Sequence, residues 1–138
     1  MIKPMVENLM VQEQLKAPHK QWKHMVAVMC LNLTYRKQVK TILPKLFAKY
    51  PNPKAYLRGR LTTQQKILKP LGMWEVRSKR IRKMTEQYLQ WDRKEASDLH
   101  GIGKYGSDSY QIFFFNHIPP DVQDKELKKY IDKQLFIY

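Results

Sequence analysis

LHGIGKYGSDSY, residues 99–110, sets two glycines one residue apart between hydrophobic anchors, Leu99 ahead of them and Ile102 in the middle. That arrangement predicts a tight turn between two helices, a hairpin over about residues 95–115. Gly101 and Gly103 are expected to supply positive φ and to leave room for another backbone. The helix after the turn is expected to begin near Ser107. Its free N–H groups and the positive end of its dipole would then point outward at the turn. Such a junction binds phosphate through backbone amides, and Lys104 adds a charge alongside. A purely structural turn would use the same glycines, so the rest of the chain must weigh between the two.

Outward from the hairpin, apolar spacing is helical almost everywhere. Trp22, Met25, Val26, Met29 and Leu33 form one stripe, and Val39, Ile42, Leu43, Leu46 and Phe47 form the next. Pro44 is expected to kink or break the second helix, and Pro51-Asn52-Pro53 to stop it. Thr62 and Gln65 read as a capping box opening a short helix to about Lys69, which Pro70, Leu71 and Gly72 end. A helix is expected from about Glu75 to Gln90, with Ile81, Met84 and Tyr88 inward and Arg77, Lys79, Arg80, Arg82 and Lys83 on its surface. Its RSKRIRK run is either a solvated or phosphate-facing side or, less simply, a nuclear-import signal. Asp124 can cap a last helix carrying Leu127, Tyr130, Ile131 and Leu135. YQIFFFN, residues 110–116, is the one strand-like run, and its flanks favour a buried helix. The expected fold is all-α, a compact bundle of short helices in a single domain over residues 1–138.

Charge narrows the partner. The chain carries a net charge of +14 over 138 residues. Its acidic residues lie at or before Glu13 or at or after Glu75. Between them Lys16, Lys20, Lys23, Arg36, Lys37, Lys40, Lys45, Lys49, Lys54, Arg58, Arg60, Lys66 and Lys69 have no counter-charge. A field of that sign attracts polyanions, and double-stranded DNA fits an all-helical chain with a phosphate-binding turn. A basic surface kept for solubility is the bland alternative. Membrane binding is disfavoured because these charges do not line one amphipathic helix, and no apolar run is long enough to span a bilayer. Cys30, the single cysteine, can form neither an internal disulfide nor a zinc or iron–sulfur site. That suits a reducing, intracellular home, nuclear in a eukaryote, and neither metal nor cofactor is expected.

Acidic residues beyond the hairpin are candidates for chemistry on a sugar, where a fixed carboxylate stabilises oxocarbenium character and orients water. Asp108 has an adequate role in a first helical turn, Asp124 as a cap, and Asp121 in a solvated loop. Asp132 lies mid-helix beside the buried stripe. Spacing alone weighs it evenly between a catalytic carboxylate and a surface ion pair with Lys128 and Lys129.

The hairpin stretch, together with LKPLGMWEVRSKRI (68–81), CLNLT (30–34) and LKKYID (127–132), resembles the glycosylase domain of methyl-CpG-binding-domain thymine DNA glycosylases. These belong to the endonuclease III-like helix-hairpin-helix superfamily. The likeness runs in order from about Val11 to Leu135. It implies a monomeric DNA N-glycosylase of base excision repair that flips a mismatched or damaged pyrimidine, thymine or uracil opposite guanine foremost. Asp132 takes the place of the catalytic aspartate. Tyr105 stands where bifunctional relatives carry a Schiff-base lysine, which implies a monofunctional enzyme without lyase activity. Gln12 and Tyr110 are expected in the base pocket, Gln12 as an amide offering donor and acceptor to the pyrimidine edge. Leu33 and Met73 are expected to enter the duplex as apolar wedges, and Gly101, Gly103, Lys104 and Ser107 to meet the backbone. An ordinary surface glutamine and a core methionine are the plain alternatives for Gln12 and Met73.

Two departures stand out. Leu33 replaces an arginine of the family pattern L-N-R-T, and a two-residue insertion near residues 17–21 separates Gln12 from the rest of the pocket. They leave two other readings open: a non-catalytic helix-hairpin-helix DNA-binding module, and an interaction domain whose basic face meets an acidic protein.

Overall fold

A computed structural model describes the backbone of residues 19–137 and the side chains through Asp132. Gln12, Lys16 and the side chain of Leu135 lie outside the described residues. All regular elements among them are helical. In chain order these are α1 (Lys20–Leu31), α2 (Arg36–Lys49), α3 (Pro53–Arg58), α4 (Leu61–Leu68), a 3₁₀ turn (Lys69–Leu71), α5 (Trp74–Tyr88), a second 3₁₀ turn (Ala96–Asp98), α6 (Lys104–Phe115) and α7 (Lys125–Ile137).

The sequence stripe on α1 understates its burial. Residues 22–30 are all buried, so α1 is the central helix rather than an amphipathic one lying on a core. Helices α2, α5 and α6 pack around it. Trp22, Met25, Leu43, Leu46, Tyr56, Leu68, Ile81, Met84 and Tyr110 fill the main core. Polar groups inside it are mostly paired. Trp22 Nε1 donates to Thr85 Oγ1 at 3.0 Å, and Tyr56 Oη donates to the Ser78 carbonyl at 3.3 Å. Ile112, Leu127 and Ile131 form a second, smaller cluster that attaches α7 to α6. Tyr105 packs against both clusters.

Several local expectations need correcting. Leu33 falls outside α1, which ends at Leu31, and is 83% exposed. Pro44 sits inside α2 without ending it. Its ring is exposed while Leu43, Leu46 and Phe47 hold the helix on the core, which offsets the lost i→i−4 hydrogen bond. The Thr62–Gln65 capping box does not form, because α4 starts at Leu61 with Arg60 as a cap making no side-chain hydrogen bond. Arg77 and Arg82 are not surface residues. Arg77 is buried, and Arg82 reaches back to donate to the Leu57 and Gly59 carbonyls at 2.9 Å each. The RSKRIRK run is therefore a helix with only Lys79, Arg80 and Lys83 exposed. Asp124 does cap α7, accepting from the Leu127 N–H at 2.9 Å.

Candidate nucleic-acid interface and base pocket

The turn at 99–103 begins from a 3₁₀ turn, not from a full helix, and α6 starts at Lys104, three residues ahead of the expected Ser107. Gly101 has the positive φ, +81°. Gly103 does not: its φ is −98°. Gly103 instead offers open space, with nothing within 4 Å of an added Cβ. It is exposed and caps α6 without a side-chain hydrogen bond, so no side chain competes there for the first amides of the helix. Gly106 is a position that sequence reasoning missed. A Cβ there would lie 2.7 Å from Ile102 Cγ2 and 2.9 Å from Val28 Cγ1, so glycine lets α6 lie directly on α1. Ser107 is half-buried, and its N–H donates to the Gly103 carbonyl at 2.9 Å, which places it in the first turn of α6 rather than at its mouth.

The early start of α6 also changes the charges. Lys104 and Asp108 become i,i+4 partners at 3.1 Å. Lys104 is thus partly neutralised by its own helix, and Asp108 serves that pair rather than a first-turn dipole contact.

Beside this turn opens a cavity of about 670 Å³. Its walls come from the end of α1 and the loop after it (Val28, Leu31, Asn32, Leu33, Thr34), from Tyr35 and Arg36, from the hairpin (Gly101, Gly103, Lys104, Tyr105, Gly106), and from Asp124 and Glu126. Burial pushes the Tyr105 phenol up to about 12; the carboxylates of Asp124 and Glu126 push the same way and the Arg36 guanidinium opposes them. Tyr105 therefore meets the cavity as a neutral hydroxyl at physiological pH.

Of the expected pocket residues, Tyr105 lines this cavity and Tyr110 does not. Tyr110 is fully buried in the main core, its ring against Trp91, Phe114 and Phe115 and its hydroxyl donating to the Arg93 carbonyl at 3.2 Å. The rotation of α6 explains it, since the side chain five residues after Tyr105 points to the opposite face. Asp132 is exposed on α7 and is not part of the cavity wall. The alternative ion pair with Lys128 and Lys129 is not formed among the described residues. Lys129 lies 3.8 Å from Glu126 instead.

Leu33 and Met73 share an unusual state. Both are exposed, at 83% and 55%. Both have left-handed backbone, with φ of +55° and +48°. A non-glycine residue there costs about 1–3 kcal/mol and persists only where its surroundings impose it. Together with Met29, Asn32, Val76, Arg77, Arg80, Ile81 and Gly101 they line a second, small cavity of about 60 Å³. The two apolar side chains therefore stand on neighbouring loops beside the hairpin. The plain alternative of a core methionine does not hold for Met73. Along the acid-free segment, Lys37, Lys40, Lys45, Lys49, Lys54, Arg58, Arg60, Lys66 and Lys69 are exposed. Lys23 is not: it is buried over the Phe47 ring, 5.3 Å from its centre.

Comparison with known proteins defines the class. No family model matches the chain. A methyl-CpG-binding domain protein 4-like protein of Arabidopsis thaliana is 33% identical over 95 residues, 69% of this chain and 21% of that protein. A thymine/uracil-DNA glycosylase of Pyrobaculum aerophilum is 29% identical over 62% of this chain and 40% of its own length. The chain thus spans well under half of these relatives. In structure it is similar to endonuclease III in a non-covalent DNA complex, with a TM-score of 0.66 and 17% identity over 94% of this chain and 68% of that one. A thermostable thymine-DNA glycosylase gives 0.61 and 20% identity over 80% and 58%. The fold is the helical fold of endonuclease III, and the sequence likeness supports the helix-hairpin-helix DNA glycosylase superfamily as the class.

Proposed function

We propose that this protein is a DNA glycosylase acting as a monomer on double-stranded DNA, removing a mismatched or damaged pyrimidine, with thymine or uracil opposite guanine as first substrates. The observation that carries this reading is the placement of Leu33 and Met73. Two exposed apolar side chains on left-handed backbone stand beside the glycine turn and a cavity large enough for a nucleobase. Extruding a base requires such parts together: a grip on the backbone, a wedge to part the stack and a space to receive the nucleotide.

Within this reading the exposed Asp132 carboxylate meets the extruded sugar, stabilising the developing cation and directing water to the anomeric carbon. Lys104 and Tyr105 supply no imine. Tyr105 has no amine, and Lys104 is read as a phosphate-facing charge, so the product is an intact strand bearing an abasic site. Mass spectrometry of free base after incubation with G·T, G·U and fully paired duplexes tests the reading. Thymine or uracil released from the mismatches alone supports it. Duplex binding without release of either base, or of modified pyrimidines, would favour the non-catalytic DNA-binding module.

A further inference from the structure

Arg77 is the buried cation that neither the charge pattern nor the pocket explains. It is 8% exposed, and no carboxylate pairs with it among the described residues. All its partners are neutral oxygens on separate segments. Nε donates to the Gly72 carbonyl at 2.9 Å, Nη1 to the Met29 carbonyl at 3.2 Å, and Nη2 to Thr34 Oγ1 at 2.6 Å. Thr34 Oγ1 in turn donates to the Asn32 carbonyl at 3.1 Å. The Arg77 N–H donates to the Met73 carbonyl at 2.9 Å.

These bonds bracket both left-handed residues. Leu33 sits between Asn32 and Thr34, which are joined by the Thr34 hydroxyl. Met73 sits between Gly72, held by the Arg77 side chain, and Arg77's own helix. One guanidinium therefore ties the two loops to each other and to the last turns of α1. A lysine could not do this, because a single ammonium cannot span three acceptors that a planar fork reaches at once. Burying an unpaired cation among neutral acceptors is costly, which argues that its geometry serves a purpose.

We propose that Arg77 is the positioning residue of a two-finger apolar wedge, fixing Leu33 and Met73 in the exposed left-handed conformation that lets them part a base stack. The inference rests on the proposed function for the wedge's role, but its test does not depend on base release. The probe is a duplex carrying 2-aminopurine next to a G·T mismatch, whose fluorescence rises when the stack opens. Wild type, Arg77→Lys and Thr34→Val are compared, each checked for helical circular dichroism and cooperative melting.

Wild type is expected to raise the fluorescence. Folded Arg77→Lys should lose most of that rise and, where base release occurs, slow it about 100-fold, the cost typical of a misplacement near 1 Å. Its affinity for fully paired duplex should change far less. Thr34→Val, which removes both the acceptor for Arg77 and the donor to the Asn32 carbonyl on the Leu33 side, should lose part of the rise in a folded protein. Combining the two should add little. A merely structural arginine would lower the melting temperature and leave the fluorescence of the folded variant intact. That result, or a wild-type rise in Thr34→Val, overturns the inference. Wild type that opens the stack but releases no base from G·T, G·U or modified-pyrimidine duplexes would refute the glycosylase reading and leave the wedge standing; wild type that does not open the stack overturns the wedge.

Discussion

Leu33 stands where the resemblance drawn from the sequence would place an arginine, and its exposure turns that difference into a prediction. An apolar finger can unstack a step but donates no hydrogen bond to the base left behind. Leu33→Ser should therefore slow single-turnover base release by about tenfold or more, with less effect on binding to paired duplex. Leu33→Arg should sharpen discrimination for guanine opposite the target, read as the ratio of rates on G·U and A·U. Unchanged rates in both variants would remove Leu33 from the wedge. At this scale the sequence was only partly legible. The exposure of Met73 depends on Gly72 at φ +74° and on Arg77 from the next helix, which spacing does not reveal. Tyr110 was misplaced because a helical stripe does not state which face meets the core. Arg77 looked like one surface charge among several, since two of its acceptors, the Met29 carbonyl and the Thr34 hydroxyl, lie more than forty residues away in the chain.

Among the elements, the junction of α6 with α1 carries two predictions. Gly106→Ala would bring a methyl against the β-branched Ile102 and Val28, which have little freedom to move aside. It should cost about 1–3 kcal/mol of stability in chemical denaturation, whereas glycine-to-alanine inside an unobstructed helix stabilises. Across the same junction, fully buried His24 hydrogen-bonds Ser109 at 3.0 Å, and Ser109 Oγ donates to the Gly106 carbonyl at 2.8 Å. The histidine is thus the donor through Nε2. Its Nδ1 has no hydrogen-bond partner among the described residues. Burial lowers its pKa from 6.5 to about 3. The unfolded chain then binds more protons than the folded one between those values, so stability falls as pH drops below about 6.5. His24→Gln should flatten that acid limb in urea titrations between pH 4 and 7; an unchanged slope would mean other groups dominate it. Element identity was readable from periodicity, and Asp124 was readable as a cap. Boundaries were less so: α6 begins at Lys104 because Gly103 is extended enough to cap it, and α4 begins before its apparent capping box.

For the whole molecule, the acid-free segment presents most of its lysines and arginines to solvent, and Gly103 leaves the first amides of α6 without a competing side chain. The phosphate grip should make duplex affinity fall by about 10³-fold or more between 50 and 200 mM salt, as measured by fluorescence anisotropy. A shallow slope would mean that few phosphates are engaged and would favour an acidic protein partner. The all-helical class was legible from the sequence because periodicity is a collective property, and the basic segment is what points to a polyanionic partner. For the carboxylate, Asp132 stands outside the described cavity wall while Asp124 and Glu126 stand within it, so the assignment is one for substitution to test.

Single-turnover cleavage of a G·U duplex, with and without hot alkali, therefore tests the central claim most directly when Asp132→Asn is run beside Asp124→Asn and wild type. Strand cleavage that requires alkali in wild type, persists in Asp124→Asn and vanishes in Asp132→Asn with duplex binding retained is the expected result. Wild-type-like cleavage by Asp132→Asn, or cleavage that needs no alkali, would contradict the account.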